Sequence, residues 1–435
     1  MLMRRWLLLL FLATMAINWP QLPFNMRATD LVFVAAAVAI TATARPWTWP
    51  RLAALDYTVA AYIGGSVIAT ALSPDVRVSS IELVRHLYVV SIYIVIAVAV
   101  RHGLAHTVAT GLALCGGLLG ALGVAATVLL MISGIRIEAI GRIATLPYLG
   151  DTLRVQALTA SESMLACALA VSAPFVLLHP VIRASWLRIN VAAMVLLVAA
   201  LLTFSHSVAG IAVAVVVATW PSMRTAALRR AAAAAVTLIV LAANFAATVS
   251  IRSVGGSPRD HSNYEYGVDS GRAEIAGVDV EYQTMSYLRL KEVAWDTFAA
   301  RPLIGIGLDR FHSATEAAYQ GGRLTEHYRA TDPHSSIPGR LAETGILGAI
   351  TMLALWCVAG IEAMRLLAHG SPLPWIVTAA AAGLAGTLIN SVNADVMNFR
   401  FLWVALGLIR GLSPMPALRS SRSIIMSEGG TPPAR

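Results

Sequence analysis

The 435-residue chain is 57% hydrophobic and only 13% charged, with a mean hydropathy of +0.71. That balance argues against a soluble globular domain and points to a polytopic helical membrane protein. A β-barrel is excluded by apolar runs that do not alternate, such as LVFVAAAVAI (31–40) and VAAMVLLVAALLTF (191–204). The net charge of +9 is carried by arginine, Lys291 being the only lysine. Many of these arginines stand in short loops between apolar runs, so they read as topology signals and not as a nucleic-acid surface. Cys115, Cys167 and Cys357 lie within apolar runs without metal spacing and read as packing residues.

Taken in chain order, twelve spans are expected, at roughly 6–20, 30–44, 54–72, 81–100, 107–133, 157–178, 187–204, 207–221, 231–250, 342–367, 373–391 and 395–412. The fold class is therefore an all-α polytopic membrane protein of about twelve transmembrane helices, with one large extracytoplasmic loop containing short helices. The first span follows Arg4 and Arg5 without an A-x-A cleavage signal, so an uncleaved helix is expected. Alternate loops carry Arg4/Arg5, Arg45/Arg51, Arg101, Arg183/Arg188, Arg224/Arg229/Arg230, Arg365 and Arg410/Arg419/Arg422. The short loops of the opposite set hold scattered Arg27 and Arg77, each near an aspartate, so both termini are expected in the cytoplasm. Loops 134–156 and 251–341 then face the other side. Three regions follow: N-terminal helices over 1–140, a second membrane region over 141–412 that includes the loop 251–341, and a disordered cytoplasmic tail over 413–435.

The large loop divides in two. Residues 251–285, containing GGSPRDHSNYEYG, read as irregular. From Ser286 the period becomes helical, with Tyr287, Leu290, Val293, Ala294 and Phe298 on one stripe and Arg289, Glu292 and Asp296 opposite. Pro302 ends that helix, and Gly305 and Gly307 permit a tight turn. His334 follows in D-P-H-S-S, and Pro338 stands just before the next span.

Chemistry is expected to concentrate in this loop. Arg136, Arg142 and Arg154 lie in one outer loop, and Arg289 and Arg340 are among nine arginines in the other. The planar guanidinium fork suits phosphate, and converging forks suit a pyrophosphate at a lipid headgroup. Most arginines in such loops are simply solvated or paired with carboxylates; for Arg289 the functional reading is the stronger one. His334 has the chemistry to take a proton from an attacking hydroxyl near neutral pH, but spacing alone does not separate it from His312 and His327. Within the spans, Arg85 and His86 lie about a turn from the outer end of span four. Glu162, His206, Asp395 and Arg400 are the other polar groups near membrane depth, where charge is costly. Asp395 and Arg400 are close enough in sequence to pair with each other. No His, Asp and Glu set shows metal spacing, so neither a metal nor another cofactor is expected.

The ordered stretch from Arg289 to Gly348 resembles the O-antigen ligase and O-antigen polymerase superfamily. Arg289 is followed by Arg301-Pro302-Leu303-Ile304-Gly305-Ile306-Gly307 and Phe311. Then come His334-Ser335 and Leu341-Ala342-Glu343-Thr344-Gly345-Ile346-Leu347-Gly348. Upstream, Gly141-Arg142 with the Ser161-Glu162 helix is similar to a family segment that also carries G-x-F and P-N, both missing here. Thr203-Phe204-Ser205-His206-Ser207 is similar to another, with His206 where arginine is usual. The resemblance covers roughly residues 140–365.

The resemblance implies a bacterial inner-membrane glycosyltransferase whose active site faces the periplasm. It implies an undecaprenyl-pyrophosphate-linked glycan as donor, an acceptor glycan, and a metal-independent transfer to an acceptor hydroxyl. His334 and Arg289 would be catalytic, and Arg142, Arg154, His206, Arg340, Glu343 and Arg85 would bind pyrophosphate or glycan. The expected partners are these two glycans, the lipid bilayer and chain-length regulator proteins, with no nucleic acid. His206 in place of arginine tilts the reading from ligase, which uses the lipid A core, towards polymerase of exopolysaccharide or O-antigen repeat units. The competing class is a twelve-span transporter or flippase, which predicts repeated halves that the sequence does not show. A membrane scaffold would leave the ordered motif unexplained.

Overall fold

The computed structural model describes residues 2–18, 27–43, 52–135, 137–146, 150–253, 267–275, 278–324, 326–369 and 373–413. Arg45, Arg51, Arg136 and the tail after Ser413 lie outside them. The helices are α1 (Leu2–Thr14), α2 (Ala28–Thr43), α3 (Ala54–Ala71), α4 (Val76–Ala99), α5 (Ala105–Ser133), α6 (Glu162–Leu178), α7 (Pro180–Arg183), α8 (Trp186–Leu202), α9 (Val208–Thr219), α10 (Ala226–Thr248), α11 (Ser286–Ala300), α12 (Phe311–Gln320), α13 (Ser336–Ala368), α14 (Pro374–Asn390) and α15 (Arg400–Leu412). Each of the twelve expected spans overlaps one helix, leaving the short α7, α11 and α12 outside the set. Among the described residues, Val76–Ser133, Ala226–Ala246 and Ser336–Ala368 are long and apolar enough to cross a membrane. Others, such as Glu162–Leu178 and Pro374–Asn390, are equally apolar but shorter.

The long segment Val76–Ser133 is two helices. Between α4 and α5, His102 and Gly103 leave helical geometry, and Gly103 takes φ +80°, a conformation open to glycine at little cost. At the centre sits α6, buried from Leu165 to Leu178 and packed by α5, α9 and α14. A helix apolar on all sides belongs in the middle of a bundle, and α6 obeys this. By contrast, α8 exposes Trp186, Leu187, Val191, Met194, Leu197 and Leu201, a surface suited to lipid.

Charges that enter the bundle are matched. Arg410 donates to Asp56 at 2.7 Å, and Tyr93 donates to the other oxygen of Asp56 at 2.6 Å. Arg400 pairs with Asp30 and donates to Thr29 Oγ1 at 3.0 Å. The expected Asp395–Arg400 pair does not form, because Asp395 sits in the turn before α15 and faces α13 instead. Charge in hydrocarbon is tolerated when paired and hydrogen-bonded, and these pairs tie distant helices together.

The loops hold strand structure that was not expected. Residues 134–156 contain an antiparallel hairpin, β1 (Gly141–Leu146) with β2 (Gly150–Val155). Much of 251–285, read as irregular, is an antiparallel sheet of β3 (Val249–Ser253), β4 (Gly267–Ile275) and β5 (Val278–Met285), in the order β3-β5-β4. The reason is visible in β5, where Val278, Val280, Tyr282 and Thr284 alternate with polar residues over a strand-length run. Residues 254–266 lie outside the described set.

Candidate active site at the loop-bearing end

Helix α11 is amphipathic as its spacing demands. Leu290, Val293 and Ala294 are buried against Ala342 of α13, with Phe311, Ala318, Leu324 and Tyr328 completing a small core. The helix ends at Ala300, and the chain turns through Pro302 to Gly307. This turn docks on α13 by main chain alone. Ile306 N donates to Ala342 O at 3.0 Å, Gly307 N to Glu343 O at 2.9 Å and Ile346 N to Pro302 O at 2.8 Å.

The glycines make this close approach possible. Gly345 breaks helical geometry with φ +62° and ψ −164°, and a Cβ there would stand 2.4 Å from Ile304 N. Gly305 has φ +67°, and its Cβ would stand 2.3 Å from the Glu343 carbonyl carbon. The two glycine-bearing motifs, far apart in sequence, are thus one junction. Ser79 at the start of α4 donates to Leu308 O at 2.9 Å and anchors the end of the turn.

His334 stands just before α13 with φ +46°, an uncommon backbone state for a residue with a Cβ. The residues after it are pinned. Ser336 N donates to Ser391 O at 2.9 Å, Ser336 Oγ to Ala394 O at 3.0 Å, and Val396 N to Ser336 Oγ at 3.0 Å. Its imidazole lies 5.1 Å, centroid to centroid, from the ring of Tyr287, which meets His206 edge-on at 5.7 Å. One aromatic thus bridges two histidines brought from widely separated segments.

Beside them runs a basic lining. Arg154 Nε donates to Thr203 O at 3.3 Å and Nη2 to Phe204 O at 3.4 Å, with Glu162 at 3.9 Å. Strand register sets Arg142 directly opposite Arg154; the side chain of Arg142 lies outside the described set. Like charges across a hairpin are unfavourable, and the carboxylate of Glu162 offsets part of that cost. Lys291, one helical turn beyond Tyr287, donates to Asn393 Oδ1 at 3.0 Å, and Asn393 Nδ2 donates to Asn244 Oδ1 at 2.9 Å. Burial, reinforced by Arg154 and Lys291, lowers the pKa of His206 to about 4, so its ring is neutral at physiological pH. Burial lowers Lys291 as well.

The other expected site residues fall elsewhere. Arg289 pairs with Glu292 at 2.5 Å on the polar side of α11. Arg340 is buried in α13, donating to Asp395 at 2.8 Å, with Glu343 at 3.7 Å and His86 Nε2 at 3.3 Å. A guanidinium only donates, so that nitrogen of His86 accepts. Helix α4 begins at Val76, which puts Arg85 and His86 more than two turns inside it and not one. Arg85 points to Glu82 at 2.8 Å. The structure therefore separates a cluster of Arg154, His206, Tyr287, Lys291 and His334 from a second one of Glu82, Arg85, His86, Arg340, Glu343 and Asp395. Tyr287 and Lys291 were legible as a helical i,i+4 pair, whereas nothing local marked Asn393.

Residues 191–353 match the family model described as O-antigen ligase. That match includes His206, α11, the glycine junction and His334. A search of curated proteins finds no match.

Proposed function

We propose, from the match of residues 191–353 to the O-antigen ligase family model, that this membrane protein transfers a glycan from undecaprenyl pyrophosphate to an acceptor sugar hydroxyl. The observation that carries the reading is the meeting of His334, Tyr287 and His206 beside Arg154 and Lys291. A basic lining neutralises a leaving pyrophosphate, and an imidazole accepts the proton of an attacking hydroxyl.

In the proposed step the acceptor oxygen attacks the anomeric carbon, the bond from that carbon to the phosphate oxygen breaks, and a new glycosidic bond forms. The acceptor proton passes to His334, and undecaprenyl pyrophosphate leaves. Single displacement inverts the anomeric centre. Arg154, Arg142 and Lys291 would hold the pyrophosphate, Arg289 would join them only on release from Glu292, and His206, neutral, would orient polar groups without adding charge. Arg340 and Glu343 are assigned to support, because their partners hold them in the bundle; Arg85, exposed and paired with Glu82, is assigned no direct contact with the pyrophosphate. No metal takes part in this step.

The twelve helices would span the inner membrane with both termini in the cytoplasm and the loop-bearing end in the periplasm. The acceptor would be a second lipid-linked repeat unit, making the protein a polymerase of exopolysaccharide or O-antigen, assisted by chain-length regulator proteins. The description of the matching family favours a second reading, ligation onto the lipid A core. Purified protein in liposomes, supplied with lipid-linked glycan and either acceptor, should form a new glycosidic linkage and release undecaprenyl pyrophosphate. Movement of glycan across the bilayer without a new linkage would overturn the proposal in favour of a transporter.

A further inference from the structure

A second set of chemistry-bearing side chains lies in the same loop. Asp309 precedes α12, His312 is in its first turn, and Asp332 comes from the stretch that returns past it towards His334. His312 Nε2 stands 3.3 Å from Asp309 Oδ1 and 3.4 Å from Asp332 Oδ1. The three atoms all lie within 4.8 Å of one another.

These separations fit a direct histidine–carboxylate contact, in which Asp309 and Asp332 push the pKa of His312 up to about 9, and they equally fit an ion seated between the groups. A tetrahedral cation with N and O bonds of about 2.0–2.1 Å has ligand-to-ligand edges of about 3.3 Å. A charge-assisted N–H···O⁻ contact is shorter, about 2.7–2.9 Å. The other ring nitrogen, Nδ1, is shielded from solvent, so Nε2 is the one presented. Neighbouring arginines are engaged by other carboxylates, Arg310 by Asp75 at 3.0 Å and Arg329 by Glu316 at 2.7 Å. Two carboxylates and an imidazole, drawn from two segments, form a mixed oxygen and nitrogen donor set suited to zinc-type chemistry.

We propose that Asp309, His312 and Asp332 form a tetrahedral site for a divalent cation of the zinc type, with its fourth position open to water. The ion would clamp the start of α12 to the segment that delivers His334, two residues beyond Asp332. It acts as a tie on the loop, outside the transfer step, and stands whether or not the proposed function is correct.

The test uses full-length protein in detergent, carrying a tag without histidines and stripped with a chelator. Titration with Co²⁺ should give the visible absorption of a tetrahedral complex at one ion per chain, and Zn²⁺ should abolish it. Asp309→Asn, His312→Gln and Asp332→Asn should each weaken Zn²⁺ binding by more than about 100-fold, beyond the loss for an outer partner. Asp296→Asn, an exposed residue paired with Arg323, should leave it unchanged. Wild-type protein alone gives an independent reading, since Zn²⁺ should slow amide exchange over 309–312 and 330–334. No tetrahedral Co²⁺ spectrum, or equal Zn²⁺ affinity in wild type and an Asp309→Asn/Asp332→Asn double variant, would overturn the site in favour of a simple histidine–carboxylate contact. Absent protection in wild type would overturn the clamp.

Discussion

The two polar clusters on either side of the start of α13 use similar residues for opposite ends. Around Arg340, one guanidinium reaches Asp395, Glu343 and the imidazole of His86. Around His334, the rings of Tyr287, His334 and His206 touch edge or face, and the basic groups lean on carbonyl and amide oxygens. The contrast teaches that ionisable residues at membrane depth are not automatically the reacting ones. The Arg340 cluster ties α13 to the turn before α15 through carboxylates, whereas the His334 cluster is built of stacked and edge-on rings beside Arg154 and Lys291.

Substitutions can break this contrast. The largest effect is expected at His334. His334→Ala should lower transfer by about 10²–10⁴-fold, the usual contribution of a general base, while the thermal midpoint stays within a degree or two of wild type, the scale left by a sub-kcal/mol change. Lipid-linked repeat units should accumulate in cells and long polymer should fall; normal polymer would end the catalytic assignment.

Next comes Arg340. Arg340→Met leaves Asp395 and Glu343, both partly buried, without their cation, and breaking a fully buried pair costs about 3–5 kcal/mol, an upper bound here. Thermal unfolding in detergent should register it, and Arg340→Met/Asp395→Leu should recover part of the loss. Recovery would be incomplete because Asp395 also accepts from Met397 N. A variant of normal stability and lost transfer would instead move Arg340 into the chemistry.

Arg289 should give a smaller change. Arg289→Lys keeps charge but loses the fork, at about 1.5–3 kcal/mol or roughly ten- to a hundredfold in transfer if both arms meet the pyrophosphate. Arg272→Lys, on β4, should be nearly silent. Equal tolerance at both would reduce Arg289 to its pair with Glu292.

The mildest effect concerns acid. The folded-state pKa of His206 lies below its unfolded value, so the stability tied to its neutral ring is complete above about 6.5. It is lost as pH falls from there to about 4. Thermal midpoints of wild type should drop across that window more than those of His206→Gln; parallel curves would show that His206 is solvated.

Much of this architecture was readable from residue order, and the failures have causes. Helix positions followed from apolar runs, and α11 from its stripe, because burial sets both periods. The sheet of β3 to β5 was missed because short strands interrupted by Asp, Glu and Gly look like loop, and pairing partners lie far apart in sequence. His334 was placed by motif, whereas its neighbours Tyr287 and His206 come from segments that only folding brings together. The partners of Arg340 were not legible, because a loop-end arginine and a buried one look alike until Asp395 is seen beside it.

The junction between residues 302–307 and 342–347 is built from peptide groups, so it carries no memory of side-chain identity apart from its glycines. A consequence is modularity. The chain from Leu308 to Pro333, with α12 inside it, runs between a clipped end at Gly307 and a pinned end at Ser336, and Phe311, Ala318, Leu324 and Tyr328 pack it onto α11. Its exposed positions can change while that small core and both posts stay in place. The surface of that stretch can therefore be remodelled without disturbing the helices that hold His334.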